Sequence, residues 1–262
     1  MQMEQTIRLS VFAAVLLLVA LWEIIAPRRP LLENKRRRWF TNLSLVAIDT
    51  VAVRMLFPVL PVALAQVAET RGWGIFNALQ MDHWLKILLS FVLLDFIIYL
   101  QHILFHHTPV LWRLHRVHHT DLDLDVTSGN RFHPLEITLS MLIKMAAVVI
   151  LGTPAQAVLA FEVVLNACSM FSHGNVRLPV TLDRLLRLFL VTPDMHRVHH
   201  SDIVRETNSN FGFNFPWWDR ICGTYRPQPE QGHLGMTIGL KEYRDPEKLT
   251  LFRLLVQPFT SQ

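Results

Sequence analysis

The chain has 262 residues, 51% hydrophobic and 18% charged, with a formal net charge of +4 and a positive mean hydropathy of +0.29. Soluble chains carry about 25% charged residues, so an ordinary soluble domain is excluded, as are disorder, collagen and coiled coil. The cations sit in short loops flanking apolar segments, as in the cytoplasmic loops of a membrane protein, and no basic stripe interleaved with aromatics points to nucleic acid.

The first apolar segment runs from Leu9 to Ala26. Pro27-Arg28-Arg29-Pro30 follows where a secretory signal would carry small residues for cleavage, so the segment is read as retained. The second runs from Leu43 to roughly Val67, interrupted by Asp49 and Arg54, and the third from Trp84 to about Phe105. Leu135–Leu151 and Pro154–Phe171 then form a hairpin joined by Gly152 and Thr153. Each arm is just long enough for ~30 Å of hydrocarbon at ~1.5 Å per residue, so the pair either spans or re-enters. The expectation is an all-α integral membrane protein with four or five transmembrane or re-entrant helices. By content the chain divides into an N-terminal transmembrane region (1–84), a histidine-rich region (85–226) and a C-terminal cytosolic tail (227–262). The polar stretch from Arg177 onward reads as a cytosolic cap.

Orientation follows from the basic residues. The loop between the first two spans holds Arg28, Arg29, Lys35, Arg36, Arg37 and Arg38, whereas the next has Arg71 as its cation, so the former is placed in the cytoplasm. Parity then brings every histidine cluster to that side.

Two cysteines, Cys168 and Cys222, cannot build a disulfide framework or a cysteine-rich metal site. Any metal must be held by other residue types; thirteen histidines are available, and eleven of them lie between His102 and His200. His102 and His106 share one helical face, one turn apart. A short repeat, His115-Arg116-Val117-His118-His119-Thr120-Asp121, recurs as His196-Arg197-Val198-His199-His200-Ser201-Asp202. Each copy is expected to present three imidazoles toward one point from a helical turn. These eight imidazoles exceed the four to six ligands one ion usually takes, which implies two metal ions. Imidazole suits Fe, Zn, Cu and Ni alike.

His133, before Pro134, is either a ninth metal ligand or a turn residue. His173 either ligates or supports a ligand. His107 faces away from the His102 stripe, and His83 and His233 are expected at the surface. Asp95 lies on a stripe with Tyr99, His102 and His106, and Glu162 on one with Asn166, Ser169 and His173. Either these carboxylates orient ligand imidazoles, or they neutralise buried cations, Arg54 for Asp95 and Lys144 for Glu162. Asn175, two residues beyond His173, joins Asp95 and Glu162 as a candidate catalytic residue. Asp121 and Asp202 are expected to bond the outer nitrogens of ligand histidines.

His102-x3-His106, His115-x2-His118-His119 and His196-x2-His199-His200 resemble the three histidine boxes of the fatty acid hydroxylase and sterol desaturase superfamily. The tail Trp218-Asp219-Arg220-Ile221-Cys222-Gly223-Thr224-Tyr225 is similar to that family too. The resemblance covers roughly residues 85–226 and implies a membrane di-iron oxidoreductase that uses O2 to hydroxylate or desaturate a fatty acid, sterol or ether lipid. It carries the ligand role to the eight box histidines, and also points to His133 and His173. No fused cytochrome b5 segment or Gly-rich dinucleotide fingerprint is recognisable. Reductant is therefore expected from a separate electron-donor protein, a ferredoxin or a cytochrome b5-like protein with its reductase. The membrane is expected to be a bacterial inner membrane or one like the endoplasmic reticulum. The competing reading is a zinc protein, in which the same imidazoles serve a lipid hydrolase or only a structural scaffold.

Overall fold

A computed structural model describes residues 2–260. Among these the chain is helical apart from two isolated bridges, Pro27 with Val176 and Ser201 with Ile238. The long helices are α1 (Gln2–Ile25), α2 (Lys35–Leu56), then short α3 (Pro61–Arg71) and α4 (Ile75–Ala78), α5 (His83–His107), α6 (Pro109–His119), α7 (Pro134–Leu151) and α8 (Ala155–His173). Shorter helices follow: α9 (Val180–Leu186), α10 (Pro193–His199), α11 (Val204–Thr207), α12 (Trp217–Ile221), α13 (Gly232–Gly235) and α14 (Leu251–Val256). Five stretches are long and apolar enough to cross a membrane: α1, the stretch Lys35–Ala78 that begins with α2, α5, α7 and α8.

The helix starts are written locally. Asn34 accepts hydrogen bonds from the backbone amides of Arg36 and Arg37 to cap α2, and Asp82 does the same for Trp84 and Leu85 at α5. Proline stands in the first turn of α3, α6, α7 and α10, where its missing amide donor is not needed. The second apolar stretch, Leu43 to roughly Val67 in the sequence, is not one continuous helix. Pro58 forces Phe57 into an extended conformation (φ −118°, ψ 96°), so α2 stops at Leu56 and Pro61 starts α3.

The α7–α8 hairpin is the centre of the bundle. α1 packs on α8, α2 on α7, and α5 on both. The turn that joins the hairpin marks the end away from the histidines. There Val62 and Ala65 of α3 pack with Val148, Ala155 and Val158, and Gly74 approaches Gly152 so closely that a Cβ on Gly74 would lie 2.2 Å from the Gly152 nitrogen. The other end gathers the C-termini of α5 and α8 with α6 and α10. Elements from all three stretches of the chain interlock there: Leu254 of α14 packs with Leu45 and Val117, and Met236 and Ile238 pack with Leu124.

A buried ionic frame braces that end. Arg38 of α2 donates to both carboxylate oxygens of Asp121 (2.7 and 2.8 Å), to Asp125 (2.6 Å) and to the Ser128 hydroxyl. Arg131 donates to Asn42, Thr120 and the Val117 carbonyl. Burial would raise the Asp121 pKa, but the Arg38 guanidinium outweighs it and holds the carboxyl well below its usual range. Asp121 therefore serves Arg38 and not an imidazole. Asp202 likewise bonds no imidazole among the described residues; its amide donates to Thr237.

Candidate metal centre

Nine buried histidines form two adjoining groups. His102, His106, His115, His119 and His199 make one, and His118, His173, His196 and His200 the other; within each group the ligand atoms all lie within 4.8 Å of one another. α5 supplies His102 and His106, α6 the first repeat, α8 His173, and α10 with its C-cap the second repeat.

The repeats do not aim three rings at one point. In each, the first and last histidines (His115 and His119; His196 and His200) join the same group, while the middle one (His118; His199) joins the other. At about 100° per residue, positions i and i+4 differ by ~40° around the helix and i+3 and i+4 by ~100°. One turn thus straddles two sites, and the two copies do so in opposite senses. The rest of the repeat is structural. Val117 and Val198 are fully buried, and the arginines point away to pin the turns, Arg116 to the Gln257 carbonyl (2.6 Å) and Arg197 to Asp194 and the Gly174 carbonyl.

The outer nitrogens define the rings' protonation. Nδ1 of His102 donates to the Phe211 carbonyl (2.8 Å), His106 to Asn208 Oδ1 (3.1 Å), His199 to the Ser209 carbonyl (2.7 Å), His118 to the Arg131 carbonyl (3.2 Å) and His173 to the Ser169 carbonyl (2.7 Å). His115 donates to the Glu136 carboxylate at 2.6 Å. Every acceptor here is an oxygen, so Nδ1 carries the proton and Nε2 presents a lone pair inward.

Those lone pairs then face one another. Nε2 of His102 is 3.1 Å from Nε2 of His115, and Nε2 of His173 is 3.0 to 3.2 Å from those of His118, His196 and His200. Protonation would relieve the repulsion, but burial first and the neighbouring histidines second lower the pKa of His118, His119, His196, His199 and His200 well below the ordinary value; burial takes His115 to about 3. Nε2 of His106 and His199 and both nitrogens of His119 have no hydrogen-bond partner although buried. Two nitrogens held at right angles about 2.1 Å from one ion stand ~3.0 Å apart. Neutral, converging, unpartnered imidazoles at that spacing fit a metal ion in each group.

Other expected site residues lie elsewhere. His133 belongs to neither group: its Nδ1 accepts from the Leu135 amide to cap α7, and its Nε2 donates to the Leu255 carbonyl (3.0 Å), which leaves no lone pair for a metal. Asp95 bonds no histidine and no arginine. It accepts from the Asn214 and Phe215 amides and the Trp218 indole, while Arg54 is exposed. Glu162 accepts from Lys144 and from Arg8 of α1, both at 2.6 Å, so charge neutralisation is the role its contacts serve. Asn175 exchanges hydrogen bonds with the Arg29 backbone and braces the start of the α1–α2 connection. His107 and His83 are exposed. His233, expected at the surface, is 6% exposed and packs 3.6 Å from Asp194.

Three residues hold candidate ligands in place without having been singled out as site residues in the sequence, Asp219 appearing there only within the tail motif: Glu136, Asn208 and Asp219. Glu136 was open to discovery as an acid inside an apolar span. Asn208 was not, because its role arises from a loop laid against α5. Asp219 accepts from the Phe211 and Gly212 amides (2.8 and 2.9 Å) and the Thr224 hydroxyl (2.7 Å), and so fixes the carbonyl that orients His102.

No solved structure matches the chain. Among characterised proteins it is 26% identical to ornithine lipid hydroxylase OlsE of Rhizobium tropici over 87% of this chain and 70% of that protein. It is 26% identical to human alkylglycerol monooxygenase, over 63% of this chain and 36% of that protein. It is 30% identical to human cholesterol 25-hydroxylase, over 53% and 51% respectively. For the last two the chain spans about a third and about half of the relative's length. The fatty acid hydroxylase model matches residues 87–224, which include both histidine groups. A centre of nine imidazoles at one end of an apolar helical bundle sits inside that match, and the chain belongs to the fatty acid hydroxylase family.

Proposed function

We propose that the protein is an O2-dependent lipid hydroxylase of an inner or endoplasmic-reticulum-like membrane, holding two iron ions in its histidine groups and facing the cytoplasm. The observation that carries this reading is the pair of adjoining groups of neutral imidazoles with inward lone pairs. The five-histidine group would hold one iron through His102, His106, His115, His119 and His199; the four-histidine group would hold the other through His118, His173, His196 and His200. Bound iron supplies the redox chemistry with O2 that an unactivated C–H bond demands, since such a bond offers no purchase to acid or base.

The protein's own part is to position and to exclude. Glu136, Asn208 and the Phe211 and Ser209 carbonyls keep the outer nitrogens of His115, His106, His102 and His199 protonated and their inner ones free. Phe132 stacks on His118 at 4.6 Å and Trp112 lies 4.9 Å from His106, so aromatic faces cover the rings and keep water from the centre. Hydroxylation is favoured over desaturation because the relatives described above are named hydroxylases or a monooxygenase. Two electrons per turnover come from a separate ferredoxin or cytochrome b5-like donor. The amino-acid-headed lipid named for the Rhizobium relative is the first substrate to offer, followed by fatty acyl, ether and sterol lipids.

The test is metal analysis after anaerobic purification, with O2 uptake on added lipid and mass spectrometry of the product. Two irons per chain, lipid-dependent uptake and a gain of one oxygen atom are expected. Fully active protein loaded with zinc alone would overturn the oxygenase reading, and loss of two hydrogens in place of oxygen gain would convert it to desaturation.

A further inference from the structure

The stretch after the second repeat has the polarity of a cytosolic cap, yet its contacts descend α5. The Phe211 carbonyl accepts from His102 Nδ1, Phe213 lies 5.1 Å from the His102 ring, the Asn214 and Phe215 amides reach Asp95, and the Phe215 ring lies 5.9 Å from Phe91. The chain then returns through α12: Trp218 packs on Phe96 at 4.7 Å, and Thr224 bonds Tyr99 at 2.9 Å. From His102 to Phe91 is about 16 Å along the helix axis. α5 is apolar along that length apart from Asp95, Gln101 and His102 itself, and is long enough to cross a bilayer. Residues 211–224 thus form a hairpin lying beside a membrane span, well below the histidines.

Two further observations point the same way. Non-helical backbone survives at hydrocarbon depth only where the protein itself satisfies its amides and carbonyls. Here two carboxylates that are 1% and 0% exposed satisfy four of the amides: Asp95 takes the Asn214 and Phe215 amides and the Trp218 indole, and Asp219 takes the Phe211 and Gly212 amides with the Thr224 hydroxyl. The Val191 amide covers the Asn214 carbonyl. The outer surface exposes large apolar side chains. Ile221 is 74% exposed, and beside the hairpin α9 and the turn after it expose Val180, Leu185 and Phe189. Trp217 ties the two pieces together by donating to the Leu188 carbonyl. The exposed cations are accommodated: Arg220 folds over the Tyr225 ring at 4.5 Å and donates to the Arg187 carbonyl, and Arg184 has a stem long enough to reach headgroups.

We propose that residues 211–224 and α9 form a re-entrant element immersed in the hydrocarbon from the histidine side. Its outer surface meets lipid acyl chains, and its inner surface, through Phe211 and Phe213, is the wall between those chains and the five-histidine group. The inference rests on the membrane reading of α5 and not on the reaction.

The test places a nitroxide label on single cysteines at exposed positions, Phe189→Cys, Ile221→Cys and Leu185→Cys, in the full-length protein carrying Cys222→Ser and reconstituted in phosphatidylcholine vesicles. Cys168 is buried and stays. Leu88→Cys on the exposed face of α5 is the hydrocarbon reference and Lys241→Cys the aqueous one. Power saturation compares collision with O2, which concentrates in lipid, and with a nickel chelate, which stays in water. The expected result is the O2-rich, nickel-poor signature of Leu88→Cys at Ile221 and Phe189. Nickel collision at either position matching that of Lys241→Cys overturns the proposal. Leu185→Cys repeats the comparison on α9, so that a failure of one variant to fold leaves the question answerable.

Discussion

Glu136→Leu is the most direct probe of how the outer contacts tune the centre. The Glu136 carboxylate accepts from His115 Nδ1 at 2.6 Å, with His115 2% and Glu136 4% exposed. A hydrogen bond to a charged group is worth about 1.5–3 kcal/mol net, and about 1.4 kcal/mol is tenfold in an equilibrium constant. Leucine removes the acceptor, frees the ring to rotate and lowers its basicity, so metal affinity in the five-histidine group is expected to fall about 10- to 100-fold. Glu136→Gln keeps the volume and one acceptor oxygen and is expected to lose about half as much free energy, since a neutral bond is roughly half as strong. Chelator competition followed by metal counting reads both variants. The leucine variant should release one ion per chain early and hold the other as the wild type does. Retention of both ions at wild-type affinity, or equal weakening of both, would refute the assignment of Glu136 to one group.

His133→Ala should keep both metals and lower stability by about 1–2 kcal/mol, the cost of a lost helix cap and one hydrogen bond, whereas His200→Ala should lose metal from the four-histidine group. Metal content and melting temperature separate the two, and metal loss in His133→Ala would return it to the ligand set. The metal-free protein should be acid-labile. Burial and mutual repulsion keep His118, His119, His196, His199 and His200 neutral, and burial puts His115 at about 3, whereas an unfolded histidine titrates near 6.5. Stability is therefore fully present above about pH 6.5 and falls below it, by about 1.4 kcal/mol per pH unit for each such histidine until its folded value is reached. Equal melting temperatures at pH 7.5 and 5.5 would contradict this. Gly74→Ala should cost about 3 kcal/mol, because its Cβ would meet the Gly152 backbone at 2.2 Å and its φ is +92°. Gly72→Ala, with φ +66° but open space around it, should cost about 1 kcal/mol, and equal losses would show that the α4–hairpin contact is not tight.

The repeat, the α5 pair and the apolar spans were legible in the sequence because each is local: helical spacing decides which imidazoles share a turn, and hydropathy decides which helices need lipid. The same locality explains the errors. A charge's partner is set by tertiary packing, so Asp121 was assigned to an imidazole when Arg38, 83 residues earlier, holds it. Asp95 was assigned to a ligand or to Arg54, but it serves a loop 119 residues later. His133 stood open between a ligand and a turn residue, and only its cap on α7 and the arrival of the Leu255 carbonyl decide for the latter.

The sequence by itself determined eight of the imidazoles this protein brings and that they come from helix ends beside an apolar bundle, since composition and periodicity carry that information; the inclusion of His173 as a ninth and the exclusion of His133 came from tertiary structure. Their partition into groups of five and four was decided by tertiary structure. A helical turn spreads its three rings over about 100°, and only the crossing of α6 and α10 with the ends of α5 and α8 determines which two sites that arc straddles.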